Sequence, residues 1–181
     1  MDTIETNRLV LRKPNASDVE PLIAFYSSAR SAMAGGNVPY AESVVRAYAM
    51  LGHWTHRGYG LFAVTRRGDA AAAAIGMAGP YYPPGRPETE IGWVLFDGAE
   101  GRGYATEAAQ ATIDYARTVL QWREIVHYID DNNLKSIAVA ERLGARLDRQ
   151  AVQPKPGKPC LVYRQPGVDE SLNGGTATVV R

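Results

Sequence analysis

Apolar and polar side chains alternate near the start of the chain, with the period of two that is typical of a β-strand. Leu9 and Leu11 lie on one face of this segment, Arg8 and Arg12 lie on the other, and Pro14 follows. Similar segments separated by turn residues bring the number of predicted strands to seven. They cover residues 4–12, 61–66, 72–79, 89–96, 124–130, 146–152 and 161–164. The alanine-rich segment 72–79 has the lowest β-propensity, but Arg67-Gly68-Asp69 before it predicts a hairpin turn.

Four other segments place apolar side chains three and four residues apart, which predicts helices. The first helix begins after Asn15 or Ser17, either of which can cap it, and Gly144 stops the last one. The predicted helices cover residues 19–26, 42–57, 106–120 and 133–143. The apolar stripe of the second helix consists of Val45, Tyr48, Ala49, Leu51 and Trp54.

The order of these elements indicates the fold class. One strand is followed by two helices, three strands, one helix, one strand, one helix and two strands. This order predicts a mixed sheet covered by helices, an α+β or three-layer α/β sandwich. A chain of 181 residues with 45% hydrophobic side chains has room for one domain with a real core. We expect that domain to span residues 1–165 and residues 166–181, which show no core pattern, to form a mobile tail.

Charge and composition narrow the class of protein. The formal net charge of +1 gives no electrostatic reason to expect nucleic acid or an anionic membrane as a partner. The single cysteine, Cys160, allows no disulfide within the chain, and we expect it to be a buried strand residue. The N-terminus lacks a signal-peptide pattern and no apolar run is long enough to span a membrane, so we expect a soluble, cytoplasmic protein. His53 and His56 have no third ligand at metal spacing, so no metal is expected.

A glycine-rich turn links the fourth predicted strand to the third predicted helix. Gly101 and Gly103 can adopt backbone angles closed to other residues, and they let an anion approach the main chain. The helix that follows begins with unpaired N–H groups and the positive end of its dipole, and Arg102 adds a charge. These features predict a phosphate site, with a tight connection that binds no ligand as the alternative. The turn is neither a Walker loop nor a dinucleotide fingerprint, because Thr106 stands at the third glycine position.

Two linked segments resemble a known family. GRGYATEAAQATIDYA begins at Gly101, and DDNNLKSIAVAERLGA, further along the chain, contains Asn133-Leu134-Lys135-Ser136 and ends in Leu143-Gly144-Ala145. Together they resemble the GNAT superfamily of N-acetyltransferases, especially its Rim-type branch of ribosomal-protein N-terminal acetyltransferases. Segments 6–12, 90–94 and 162–164 are similar to the family's opening, central and last strands, so the resemblance covers residues 3–165.

The resemblance implies an enzyme that moves an acetyl group from acetyl-CoA to an amine. The implied sheet is mixed, mostly antiparallel, flanked by helices and splayed after its central strand. The thioester would lie in this splay, with a main-chain N–H bonded to its carbonyl oxygen. The pantetheine arm would run beside Trp93, Val94, Leu95 and Phe96. Main-chain N–H groups would bind the CoA diphosphate over Gly101, Arg102, Gly103, Tyr104, Ala105 and Thr106.

Two departures from the family's pattern bear on the chemistry. Glu100 begins the turn where the family often has Gln or Arg, a small change because contact there is largely through the backbone. Ala140 stands where many members carry the tyrosine that protonates the leaving thiolate, so a tyrosine acid at that position is excluded. Ser136 is then the candidate to donate its hydroxyl to the sulfur, and an ordinary helix serine is the alternative.

Attack on a thioester needs a neutral amine, and free α-amino groups have a pKa of roughly 8. Glu90 is the leading candidate for the base, with Glu88 second, and Gly92 leaves room beside Glu90 if that side chain points toward the splay. The alternative is a surface carboxylate. Asn133 can cap its own helix and, by the resemblance, also contact the pantetheine.

The loops expected to form the acceptor groove, residues 31–40 and 153–159, carry no strong charge run. A protein N-terminus, a small amine and an amino-sugar antibiotic all remain open as acceptors, with a protein N-terminus slightly favoured. Two other classes of function also stay open: a non-catalytic acyl-CoA-binding or sensing module, and a nucleotide-binding enzyme that uses the same turn. The oligomeric state, monomer or homodimer, is not indicated.

Overall fold

A computed structural model describes residues 3–68, 73–155 and 157–167. Its centre is one eight-stranded sheet with the strand order β1-β2-β3-β4-β5-β6-β8-β7, antiparallel except between β5 and β6. The strands are β1 Thr3–Glu5, β2 Leu9–Arg12, β3 Phe62–Arg66, β4 Gly76–Tyr81, β5 Glu90–Leu95, β6 Val126–Ile129, β7 Arg146–Leu147 and β8 Leu161–Arg164. The helices are α1 Val19–Ser27, α2 Tyr40–Arg57, α3 Tyr104–Thr118 and α4 Leu134–Arg142.

The helices cover both faces of the sheet. Helices α1 and α2 pack on one face, where Leu22, Ala47 and Met77 share a buried cluster. Helices α3 and α4 pack on the other face, where Ile91 and Ile113 are fully buried together. This arrangement confirms the predicted fold class: a mixed, mostly antiparallel sheet flanked by helices in an α+β three-layer sandwich.

The structure corrects three predicted elements, two strands and one loop. The strand predicted over 4–12 is a hairpin of β1 and β2, because the Thr6 N–H donates to the Leu9 carbonyl and the Thr6 hydroxyl accepts the Leu9 N–H, which closes a turn. The strand predicted over 146–152 pairs only at Arg146–Leu147. The predicted loop over 31–40 begins inside a 3-10 helix, Ala29–Ala34. Part of the predicted strand 72–79 and most of the predicted tail lie outside the described residues.

The predicted apolar stripe of α2 was wrong at three positions, Val45, Tyr48 and Ala49, all of which are exposed. Val45 and Tyr48 are 65% and 59% exposed, whereas Ser43 and Ala47 are fully buried. Ser43 is accommodated because its hydroxyl accepts a hydrogen bond from Ser27 and donates to the main chain at the start of the helix. A buried polar residue whose bonds are satisfied thus shifts the buried face by one position.

No helix in the described ranges is long and apolar enough to cross a membrane.

Candidate active site

The one parallel strand pair of the sheet opens into a cleft. Strands β5 and β6 are in register only at Glu90 and Val126, where the Val126 N–H donates to the Thr89 carbonyl at 3.0 Å. Beyond this point the His127 imidazole, not a main-chain amide, bonds to the Ile91 carbonyl at 2.7 Å. The ring therefore stands between the two strands where their separation begins, and the predicted splay after the central strand is present.

The open edge of β5 presents main-chain groups to this cleft. The Phe96 N–H donates to the Ile75 carbonyl of the β4 side at 2.8 Å, and hydrogen-bonded pairs alternate along an antiparallel ladder. The even-numbered residues of β5 therefore bond to β4, and the odd-numbered residues turn their amides toward β6. The Trp93 N–H, which lies past the last β5–β6 pair, points into the splay.

The cleft has a volume of about 230 Å³ and runs from β5 to the start of α4. Both loops expected to border an acceptor groove contribute to it, through Met33 and Gly35 of the first and Lys155 and Pro159 of the second. Cys160 also lines the cleft and is only half-buried, so its assignment as a buried strand residue was wrong.

Glu90 projects into the cleft with an unusual environment. Its side chain is 11% exposed, and its Oε2 atom has no hydrogen-bond partner among the described residues; the nearest cation is Arg86, with Nη2 at 3.5 Å. Burial raises the pKa of Glu90 to about 7, and Arg86 and Lys155 oppose this rise. A Cβ placed on Gly92 would lie 3.6 Å from the Glu90 carboxylate, so the glycine leaves open space beside it, as expected.

Glu88, the second candidate base, lies in a different environment. Its carboxylate receives two hydrogen bonds from the Arg164 guanidinium, at 2.6 and 3.1 Å, and it does not line the cleft. Arg164 also contacts Asp148 and Glu124. Glu88 therefore belongs to an ion-pair network that ties β8 to the segment before β5.

The glycine turn has the geometry that its sequence predicts. Gly101 and Gly103 have φ angles of +74° and +76°, in the left-handed region that favours glycine. The amides of residues 103–106 make no hydrogen bond to any described residue, and the Glu107 N–H is the first to bond back, to the Gly103 carbonyl. Four successive donors at the positive end of α3 therefore point outward from the turn.

The turn is fixed from the far end of the sheet. Arg8 donates from its main chain and its side chain to the Glu107 carboxylate, at 2.8 and 2.6 Å, and a further N–H of its guanidinium donates to the Arg102 carbonyl. Thr6 adds a hydroxyl bond to Glu107 at 2.6 Å. The β1–β2 turn thereby holds both the glycine turn and the first turn of α3.

Glu100 joins the glycine turn to both sides of the cleft entrance. One carboxylate oxygen bonds to Arg30 and the other to Lys135, each at 2.6 Å. The bond from Lys135, with Arg30 nearby, holds the pKa of Glu100 below its usual value. The residue that departs from the family pattern thus links the 3-10 helix 29–34 to the start of α4.

The start of α4 places two of the predicted residues on the cleft wall. Asn133 caps the helix, because its side-chain oxygen accepts the Ser136 N–H at 3.1 Å. The Ser136 hydroxyl makes no hydrogen bond within the described part of the chain, and both side chains line the cleft. Ala140 is fully buried, which leaves Ser136 as the hydroxyl of this helix on the cleft wall.

The remaining predicted cofactor residues divide into two groups. Trp93 and Val94 line the cleft. Leu95 and Phe96 do not: the Leu95 carbonyl accepts from Arg30, and Phe96 packs against Phe25. Any contact of these two residues with a ligand in the cleft would therefore be through the main chain.

In the described ranges no group of three or more His, Cys, Asp or Glu side chains is able to hold a metal.

His127 lies in β6, and its contacts show a structural role. The Ile91 carbonyl can only accept, so Nδ1 carries the proton and Nε2 accepts from the Gln165 amide at 2.9 Å. Burial lowers the pKa of His127 to about 4, although the bond to Ile91 opposes this. The neutral ring also packs against Trp93, with 4.9 Å between the ring centroids. His127 thus positions the β5 main chain at the mouth of the splay.

Acidification is expected to reduce the contribution of His127 to stability. Its pKa is lower in the folded chain than in the unfolded chain, so the unfolded chain binds more protons between about pH 6.5 and pH 4. The free energy of unfolding of the wild type, relative to His127→Gln, should fall by about 2–3 kcal/mol from pH 7.5 to pH 4.5. Urea denaturation of both proteins measures this difference, and an equal gap at both pH values would contradict the assignment.

Comparisons with known proteins agree with this architecture. A family model described as an acetyltransferase (GNAT) domain matches residues 8–146. The crystal structure of an acetyltransferase from Agrobacterium tumefaciens str. C58 is 36% identical with a TM-score of 0.84, covering 92% of this chain and 95% of that one. The uncharacterized N-acetyltransferase YnaD of Bacillus subtilis (strain 168) is 26% identical over 153 residues, 79% of this chain and 82% of YnaD.

A more distant structure shares the fold alone. The microcin C7 self-immunity acetyltransferase MccE, whose structure is a complex with acetyl-CoA and AMP, is 16% identical with a TM-score of 0.64, covering 88% of this chain and 93% of that one. The family model covers most of the chain, so the chain belongs to the GNAT family of acetyltransferases. The Rim-type branch and the nature of the acceptor stay predictions.

Proposed function

We propose that the protein transfers an acetyl group from acetyl-CoA to a primary amine, by direct attack of the amine on the thioester. The observation that supports this best is Glu90, a buried carboxylate without a hydrogen-bond partner in the described chain, at the point where β5 and β6 separate. The proposed acetyltransferase domain spans residues 1–165. A purely acyl-CoA-binding module is not favoured, because binding alone needs no such base.

The cofactor would be held by main-chain groups at two places. The free amides of residues 103–106 would bind the diphosphate at the positive end of α3, with Gly101 and Arg102 completing the turn. The pantetheine arm would run along β5 from Phe96 to Trp93, with Asn133 on the opposite wall. Acetyl-CoA supplies the activated acetyl group, and the Trp93 N–H would bond to its carbonyl oxygen and stabilise the negative charge that develops there.

The amine must lose a proton to attack. Glu90, whose pKa of about 7 lies close to the pKa of roughly 8 of an α-amino group, would take that proton as a new C–N bond forms. Collapse of the tetrahedral intermediate breaks the C–S bond and leaves the electron pair on sulfur. The Ser136 hydroxyl would donate a hydrogen bond to this thiolate, the second proton lost by the acylated nitrogen would convert the thiolate to the thiol of CoA, and the proton on Glu90 would return to solvent.

Acceptors of two classes fit the position of Glu90: a protein N-terminus, which the Rim-type resemblance favours slightly, and a small-molecule amine. A direct test is CoA release from acetyl-CoA with a panel of amines, with the acetylated product identified by mass spectrometry. We expect one acetylated amine for each CoA released. Tight acetyl-CoA binding without release across the panel, unchanged by Glu90→Gln, would favour the sensing module instead.

A further inference from the structure

One guanidinium in the cleft lacks the acceptors that such a group normally has. The Arg86 side chain is 19% exposed and donates no hydrogen bond to any described residue. Its nearest carboxylate oxygen, on Glu90, is 3.5 Å away, beyond a strong hydrogen bond. A guanidinium has five N–H donors, and those of Arg86 lie on the cleft wall, where an incoming acceptor can reach them. The position therefore suits a ligand that brings an acceptor with it.

A buried donor without a hydrogen-bond partner among the described residues lies beside Arg86. The Tyr128 hydroxyl is buried without a hydrogen-bond partner among the described residues, and the Arg86 guanidinium stacks over its ring at 5.0 Å. Both side chains line the same cleft as Glu90. Burial raises the pKa of Tyr128 to about 12, so its hydroxyl keeps its proton and stays a donor.

The cleft wall around Arg86 carries further positive charge. Lys155 and Lys158 line the cleft and form no ion pair in the described chain. The acidic residues on the wall are Glu90 and Asp130, and the Asp130 carboxylate already accepts the Asn132 N–H. This wall of the cleft thus carries more positive than negative charge, which disfavours a polycationic amino sugar as the acceptor.

We propose that the acceptor carries an anionic group, a carboxylate or a phosphate, close to its amine, and that Arg86 and Tyr128 bind this group. The proposal rests on the proposed function, because Glu90 then faces the amine of the same molecule. In an α-amino acid the amine and the carboxylate oxygens are about three bonds apart, and Glu90 Oε2 and Arg86 Nη2 lie 3.5 Å from each other, so one such molecule can reach both groups. The Met33, Met50 and Leu61 side chains on the cleft wall suit an apolar substituent.

The test compares acceptors that differ only in the anion. L-phenylalanine and phenethylamine share the amine and the ring, so the ratio of their kcat/KM values, calculated for the unprotonated amine, isolates the carboxylate. In the wild type we expect kcat/KM for L-phenylalanine to be at least about tenfold higher than for phenethylamine. The ratio should approach one in Arg86→Gln, and Tyr128→Phe should give a value between the two. The ratio does not depend on how Arg86 changes the ionisation of Glu90, because both acceptors need the same base.

A matched variant and a second pair of acceptors sharpen the test. Arg57 stacks over Tyr82 at 5.1 Å outside the cleft, so Arg57→Gln should leave the ratio unchanged. Peptides beginning Met-Asp and Met-Asn form the second pair, in which the anion lies on the second residue and Asn is its neutral counterpart. A preference for Met-Asp with none for L-phenylalanine would support the proposal with a peptide as the source of the anion.

Binding separates failure of this proposal from failure of the proposed activity. With CoA present, N-acetyl-L-phenylalanine should bind at least about tenfold more tightly than N-phenethylacetamide by calorimetry, and Arg86→Gln should remove the difference. This result would support the anion site even if no amine released CoA. Robust CoA release with equal kcat/KM for anionic and neutral acceptors in both pairs would overturn the proposal and leave the acetyltransferase activity intact.

Discussion

Replacing Glu90 with Gln is expected to lower kcat by about 10²–10⁴-fold and, at the same time, to make the folded protein more stable above pH 7. The loss of rate follows because Gln cannot take the proton of the attacking amine. In the wild type, kcat should rise with pH through about 7 as Glu90 ionises, and this step should be absent in the variant. Steady-state rates between pH 5.5 and 9 measure both effects.

The gain in stability comes from the same burial. The pKa of Glu90 is raised in the folded chain, so the wild type loses stability as the pH rises from about 4.5 to about 7. Gln carries no charge at any pH. The free energy of unfolding of Glu90→Gln should therefore exceed that of the wild type by on the order of 3 kcal/mol at pH 8, and the two should be nearly equal at pH 4. His127 acts in the opposite sense over this range, so variants, not the wild-type profile alone, must be compared.

Glu88→Gln is the matched control, since it makes the same chemical change two residues away. Glu88 bonds to Arg164 outside the cleft, so this variant should keep the pH step in kcat and lose some stability instead of gaining it. A slow but more stable Glu90→Gln beside an active Glu88→Gln separates a catalytic base from a structural carboxylate. Glu90→Gln with wild-type rates would exclude the base assignment.

Replacing Gly101 with Asp is expected to weaken acetyl-CoA binding by about 100-fold. The new carboxylate would lie beside the proposed diphosphate site, and two like charges about 4 Å apart near a protein surface repel by roughly 4 kcal/mol, or about 1,000-fold in affinity, which screening by salt reduces. The space around Gly101 is open, with no atom within 4 Å of an added Cβ, so the fold should tolerate the change. Calorimetric titration with acetyl-CoA measures the dissociation constant.

Gly98→Asp controls for backbone strain. Gly98 has a φ of +75°, nearly equal to that of Gly101, and an added Cβ there also meets nothing within 4 Å. Asp tolerates this conformation better than most residues, and its cost should be similar at both positions. We expect Gly98→Asp to bind acetyl-CoA within a few-fold of the wild type; equal weakening by both substitutions would place the diphosphate elsewhere.

Local patterns in the sequence were sufficient for the fold class and for the positions of the two helices that border the candidate site. The small-residue periodicity after Gly103 and the Asn133 cap correctly predict where α3 and α4 lie, because helix caps and faces are encoded within a few residues. The same local reasoning failed in α2, where Ser43 is buried instead of Val45. A serine bonded to residues of other segments cannot be distinguished from an exposed serine by periodicity alone.

The features that the sequence did not reveal all depend on contacts between distant segments. Glu107 is held by Arg8, 99 residues earlier in the chain, and no local motif marks this pair. Arg86 lies in a proline-rich loop, where an arginine is normally solvated, and only the folded chain brings it over Tyr128. His127 lies within the predicted strand 124–130, but its bond to the Ile91 carbonyl requires the particular separation of β5 and β6.

A crystal structure of the protein with bound acetyl-CoA tests the central claim most directly. We expect the diphosphate oxygens within roughly 3 Å of the amides of residues 103–106, and the thioester carbonyl oxygen at the same distance from the Trp93 N–H. The acetyl carbon should then face the Glu90 side of β5. A fully occupied complex with the diphosphate away from the glycine turn, or with the thioester outside the splay, would contradict the account.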